Sequence, residues 1–331
     1  MISNRPGVVR RLLVSALTFT AIQIGYAQKT APLGSMVVLP VSDPNISNEK
    51  CWKDSNVLGV LLRVAWWDVE TRTDVYNFSY FTTGLQLASA NNKWAVLAID
   101  GSRAPEWMYK QGVPLWKSTE GGRAPYPWNS TVQAQWAGMI AQMGSLYDTQ
   151  SLVHGVTMWC GGTSIESFFA VSAADATALD QLAGGGIGSG AVLWENAAET
   201  LISDFINAFP NTPIFLATGT CYPDNDATMT NVASWFLGQS PGARGMQSDA
   251  LAMYYPSEGI FPHTTLDCAS LSPIMYQELA AIGSPRMDGA ALAVVISHGE
   301  KENAKAIQVY PTDPAKDENA LADFNTYVGA P

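Results

Sequence analysis

VTMWCGGTSIES, residues 156–167, is the stretch on which the fold turns. It opens as an apolar β-run, breaks at Gly161 and Gly162, and then sets down Glu166. A buried strand that ends in a flexible corner and a lone carboxylate is the pattern of a parallel βα unit, whose chemistry sits in the loop beyond the strand. Counting His154–Trp159 as one such strand, seven more β-rich runs flank it: Met36–Pro40, Leu58–Trp66, Trp94–Asp100, Pro213–Gly219, Arg244–Met253, Pro273–Glu278 and Ala306–Tyr310.

Helical patterns fall between these runs. From Ser130, the positions Val132, Trp136, Met139, Ile140, Met143 and Tyr147 follow helical spacing, with Ser130 and Gln133 placed for a capping box. From Asn196, the positions Leu201, Phe205, Ala208 and Phe209 repeat it. Ser284-Pro285 reads as an N-cap and first helical proline leading into Leu292, Val295 and Ile296. The glycine-rich segment after the fourth run, SAADATALDQLAGGGIGSG, reads as a mobile loop, because no strand precedes its dinucleotide-like glycines. Eight parallel strands with covering helices predict an α/β fold, a single (β/α)8 TIM barrel with long strand-end loops over residues 28–331; an open doubly wound sheet is the alternative.

The 331 residues are 47% hydrophobic and 14% charged, which places the chain among ordered globules and not among disordered ones. Residues 1–27 read as a secretory signal peptide: Arg5, Arg10 and Arg11, an apolar run from Leu12, and a small-residue end at Ala27. Cleavage near Ala27 predicts a secreted or periplasmic protein. It leaves 15 basic residues against 29 acidic ones, a net charge of −14 that repels phosphate backbones, so no nucleic-acid partner is expected. No later stretch is long and apolar enough for a membrane span. Cys51, Cys160, Cys221 and Cys268 allow two disulfides in three connectivities, with Cys160 and Cys221 favoured as a pair at neighbouring strand ends and four buried thiols as the alternative. His154, His263 and His298 form no metal-binding motif, and neither a metal nor another cofactor is expected. Nothing in the sequence specifies the oligomeric state.

In a (β/α)8 barrel the loops leaving the C-terminal strand ends form the active face. Glu166 follows the fourth run and Glu278 ends the seventh, giving the two carboxyl groups that glycosidic hydrolysis requires. Asp100, Asp249 and Asp313 also fall at or near strand ends, and any of them can stand in for one of the glutamates. Trp107, Tyr109, Trp116, Tyr126 and Trp128 lie in one long loop region, where aromatic faces suit sugar rings; a loop anchored by its own aromatic cluster is the other reading.

On these residues the chain resembles the clan of (β/α)8 glycoside hydrolases with an acid/base glutamate after strand four and a nucleophilic glutamate at strand seven. It is similar in particular to barrels related to family 42 β-galactosidases. The segments that carry the resemblance are GVLLRVAWWDVE with VYNFS, RAPEWMYKQGVP, and IQVYP. It departs from the clan at Ile165, where asparagine commonly precedes the acid/base. The resemblance implies Glu166 as acid/base, Glu278 as nucleophile, retention of configuration and a carboxyl separation of about 5–5.5 Å. It also implies that Arg63 orients the nucleophile and Tyr310 closes the floor. Trp66, Asp100, Trp107, Trp159 and Tyr276 complete the expected sugar-binding set. The sequence thus predicts an exported, cofactor-independent glycosidase acting on a carbohydrate, with a carbohydrate-binding barrel that has lost catalysis as the alternative.

Overall fold

The computed structural model describes residues 29–239, 244–252, 273–287 and 289–331. Residues 1–27, read as a signal peptide, together with His263, Cys268 and the end of the sixth run at Met253, lie outside the described residues. Eight parallel strands close into a barrel: β1 (Gly34–Val38), β2 (Gly59–Ala65), β3 (Trp94–Asp100), β4 (Val153–Met158), β5 (Ile214–Thr218), β6 (Arg244–Leu251), β7 (Ile274–Glu278) and β8 (Ala306–Val309). Each pairs with its neighbour in sequence, and β1 closes the ring on β8 with Gly34 opposite Ala306. The open-sheet alternative is therefore excluded. The chain is an α/β (β/α)8 barrel.

Helices coat the barrel. They are α1 (Ser79–Ala90), α2 (Ser130–Tyr147), α3 (Ala173–Leu182), α4 (Ser189–Ala208), α5 (Ala227–Gln239), α6 (Leu292–Lys301) and α7 (Glu318–Tyr327). Three helix starts differ from the sequence expectation. Asn129, not Ser130, caps α2, its side chain accepting from the backbone N–H groups of Thr131 and Val132 at 3.0 and 3.3 Å. The α4 helix begins at Ser189, well ahead of Asn196, and Ser284-Pro285 opens only a single 3-10 turn, Pro285–Met287, before α6 starts at Leu292. The segment expected to be a mobile loop holds α3: Ser172 caps it by accepting from the Asp175 N–H at 3.1 Å, and the alanine-rich run that follows favours helix. Among the described residues no helix is long and apolar enough to cross a membrane.

Alternation along each strand sorts the side chains into two cores. Met36, Val38, Leu61, Val96, Ala98, Phe215, Met275 and Ala306 pack inside the barrel, together with Ile165 from the β4 loop. Val37, Val60, Leu62, Val64, Leu97, Val156, Leu216, Met246, Ile274, Tyr276, Ile307 and Val309 face the helices. Two glycines make room for large inner rings. A Cβ on Gly59 would stand 2.2 Å from the Trp94 ring, and one on Gly245 2.2 Å from the Phe215 ring. Cys51, Cys160 and Cys221 are buried free thiols, so the expected Cys160–Cys221 disulfide is absent; the Cys160 Sγ instead lies 2.9 Å from the Ser167 Oγ.

Candidate active site

The β4 strand ends at Met158, and Gly161 turns the chain outward with a φ of +101°, a conformation that glycine adopts without strain. The loop that follows is pinned on both sides. The Trp159 indole N–H donates to the Gly162 carbonyl at 2.7 Å, and the Ser167 hydroxyl donates to the Ala217 carbonyl of β5 at 2.7 Å. Ile165 is plugged into the inner barrel core. These anchors set Glu166 at the barrel mouth, where it lines a cavity of about 510 Å3 with Glu120, Ser164, Phe168, Asp249, Gln277, Arg286 and Tyr310 among its walls.

The carboxyl partner of Glu166 is Asp249. Asp249 lies in β6 between Ser248 and Leu251, where the register with β7 shifts; such irregularities re-aim strand residues near functional sites. Below it runs an ordered chain of hydrogen bonds inside the barrel. The Thr157 hydroxyl donates to Gln247 Oε1 at 2.8 Å, and Gln247 Nε2 donates to Asp249 Oδ1 at 2.7 Å. Asp249 Oδ2 is buried and accepts no hydrogen bond.

Electrostatics divide the pair. Burial, followed by the charge of Glu166 and the hydrogen bond to it, pushes the Asp249 carboxyl well above its usual range. Burial also works to raise Glu166, but hydrogen bonds from Asp249 and the Ser164 hydroxyl, together with the charge of Arg63, outweigh it and hold Glu166 below its ordinary value. Two acids that interact this strongly share one proton and one negative charge over a wide pH range. Arg63 points from β2 toward this charge while its Nε donates to the Leu39 carbonyl at 3.0 Å.

Glu278 is the last residue of β7. It shares the outward face of β7 with Ile274 and Tyr276, is fully buried, and is not among the residues that line the cavity. Gln277 takes the inward position instead. Glu278 Oε2 accepts from the Tyr310 backbone N–H at 3.1 Å, and burial first, then Asp313, push its carboxyl up to about 9. The cavity is therefore lined by Glu166 and Asp249 and not by Glu278.

Three of the expected sugar-binding residues are corrected for the same reason. Trp66, Trp159 and Tyr276 are fully buried between barrel and helices, with Trp66 and Trp159 both packed on Trp136. Trp107 is half-buried against the core, its indole N–H donating to the Glu70 carbonyl at 3.3 Å. Asp100 sits near Glu166, but its oxygens are engaged by Ser102 and by Arg103 at 2.9 Å. Tyr310 does line the cavity. The aromatic loop packs on itself and on the Glu166 loop: Tyr126 lies between Trp116 and Trp128, Trp116 stacks on Phe169 with ring centres 4.9 Å apart, and Trp128 meets the same ring edge-on. Its role is to brace the Glu166 loop. Among the described residues no group of three or more His, Cys, Asp and Glu side chains is arranged to hold a metal.

Asp249 was readable only as one of three aspartate substitutes, whereas Gln247, Thr157 and Glu120 were not singled out. The period-two rule carried the missing signal: Gly245, Gln247 and Asp249 share one face of their strand, and Met275 and Gln277 share one face of theirs.

Solved structures share this architecture. The catalytic domain of a β-amylase from Paenibacillus polymyxa matches with a TM-score of 0.63 at 12% identity, over 91% of this chain and 98% of that one. A β-galactosidase from the psychrophilic Marinomonas ef1 matches at 0.58 and 10%, over 89% of this chain, which spans 59% of the galactosidase. A xylanase from Paenibacillus barcinonensis matches at 0.52 and 11%, over 84% and 83% of the two chains. No protein-family model matches the sequence, and no curated protein matches it. At these identities what is shared is the fold: the chain is a closed (β/α)8 barrel of the kind found in these glycoside hydrolases.

Proposed function

We propose that the chain is a glycosidase that acts at the barrel mouth through the Glu166–Asp249 pair. The observation that carries this reading is two carboxyl groups, Glu166 and Asp249, facing each other in one cavity on the face of the barrel where such enzymes work. A glycosidic oxygen inserted between the two carboxyls takes the proton they share as its bond to the anomeric carbon breaks. The carboxylate left behind stabilises the cationic sugar and then accepts a proton from the attacking water, which restores the pair. In direct contact the carboxyls are closer than the roughly 5–5.5 Å of retaining enzymes, so the substrate must part them on binding. The acidic surface favours a neutral or basic glycan. The leader in the sequence supports action outside the cytoplasm, which N-terminal sequencing of the exported protein checks.

The test is turnover and binding on a panel of malto-, xylo- and β-1,4-gluco-oligosaccharides and β-galactosides, with Glu166→Gln, Asp249→Asn and Glu278→Gln. The first two variants lose turnover by about 10²–10⁴-fold and keep ligand binding, while Glu278→Gln retains measurable turnover. Full activity in both Glu166→Gln and Asp249→Asn sinks the assignment of the pair. A non-catalytic carbohydrate-binding barrel is the second reading, favoured by Gln277: the seventh strand offers the cavity an amide that neither attacks nor donates an acidic proton. Binding of the panel without turnover by the unmodified protein selects that reading.

A further inference from the structure

We propose that the mouth cavity is one end of a longer cleft, and that a groove between the first and last strand-end loops holds further sugar units of the same glycan chain. The inference rests on the glycosidase reading above and adds to it that the substrate is an oligosaccharide or polysaccharide. A second cavity of about 600 Å3 lies between the segment after β1, with Pro40, Asn48 and Lys50, and the segment after β8, with Pro311, Thr312 and Pro314. Tyr310 lines both cavities, so they meet at one side chain. The reason is topological. Because β1 and β8 pair to close the barrel, their loops leave it side by side and flank one channel.

The chemistry of the groove fits an uncharged polyhydroxylated chain. Asn48, Lys50 and Thr312 are exposed and offer donors and acceptors, while the prolines supply rigid aliphatic walls. Lys50 is offset by Glu49 and Asp54 in the same groove, so no single sign of charge selects a phosphate or a carboxylate ligand. The junction is also fixed in place, since the Tyr310 backbone N–H is held by Glu278. Both volumes lie within the range of roughly 300–1,000 Å3 that small-ligand sites occupy, so a single glycan crossing Tyr310 would fill two site-sized spaces.

The experiment titrates the oligosaccharide panel, from disaccharide to hexasaccharide, into the Glu166→Gln variant by calorimetry, so that no ligand is consumed. Affinity for one series rises by about tenfold or more with chain length. Thr312→Trp, which fills the groove, and Asn48→Ala, which removes a hydrogen-bonding group, each abolish that rise, so that long ligands bind no better than the disaccharide. A disaccharide that binds while affinity stays flat along the series overturns the groove and leaves the glycosidase reading standing. A rise that survives both substitutions overturns its placement. Binding of no member of the panel overturns both inferences together.

Discussion

Asp249 carries a proton that it cannot easily release, and Glu166 carries a charge that it cannot easily lose. Turnover that depends on the shared proton therefore follows a bell-shaped pH profile. On the acid side the rate falls as Glu166, held low, finally takes up a proton; on the alkaline side it falls as Asp249, held high, gives its proton up. The residual turnover of Asp249→Asn should lack the alkaline limb, which a pH–rate series measures. Gln247→Leu removes the donor to Asp249 Oδ1 and leaves the Thr157 hydroxyl without its acceptor, so kcat falls and stability drops by about 1–3 kcal/mol in chemical denaturation. At this scale the sequence was half legible. The glycine corner marked the end of the fourth strand, where a (β/α)8 barrel carries its chemistry, and so singled out Glu166. The partner was obscured because Glu278 sits one position from Gln277, and in a strand one position is the difference between the barrel interior and its coat.

Among elements, the ends of β7 and β8 are tied by a second buried acid pair. Glu278 accepts from the Tyr310 N–H, and Asp313 accepts from the Ile282 N–H at 3.1 Å and from Lys316 at 2.8 Å. Glu278 rises from an ordinary value of 4.5 to about 9, so the folded state binds its proton more tightly than the unfolded state does. The stability this gives is complete below pH 4.5, declines as the pH climbs, and is gone above about 9. The melting temperature of the native protein minus that of Glu278→Gln should fall across this window, since the amide mimics the protonated acid at every pH. The strands were read well because each is a short β-rich run, mostly apolar and largely buried on both faces as parallel strands are. Helix starts were read less well. A cap is decided by which side chain reaches the free N–H groups, and Asn129 stands one residue ahead of an equally plausible Ser130. Asn129→Ala should cost about 1 kcal/mol in the same denaturation assay.

For the whole molecule, the count of eight strands favoured closure without proving it; the pairing of β1 with β8 closes the barrel, and the structure adds how the interior is filled. Trp94 and Phe215 occupy space that Gly59 and Gly245 vacate, so Gly245→Ala should destabilise the fold by about 1–3 kcal/mol. The redox expectation failed for a reason that composition does not contain: the three described thiols are packed into the core, and burial pushes Cys51 and Cys160 up to about 12. Ile165 links this interior to the chemistry above it. The residue beside Glu166 is a peg in the barrel's inner layer, the cluster that also holds Met36, Leu61 and Met275. A methyl group gained or lost deep in that layer shifts the peg, and the shift arrives at the mouth as a changed aim of the acid. If the proposed glycosidase reading holds, its rate is tunable from this hydrophobic plug, by substitutions that never meet the sugar.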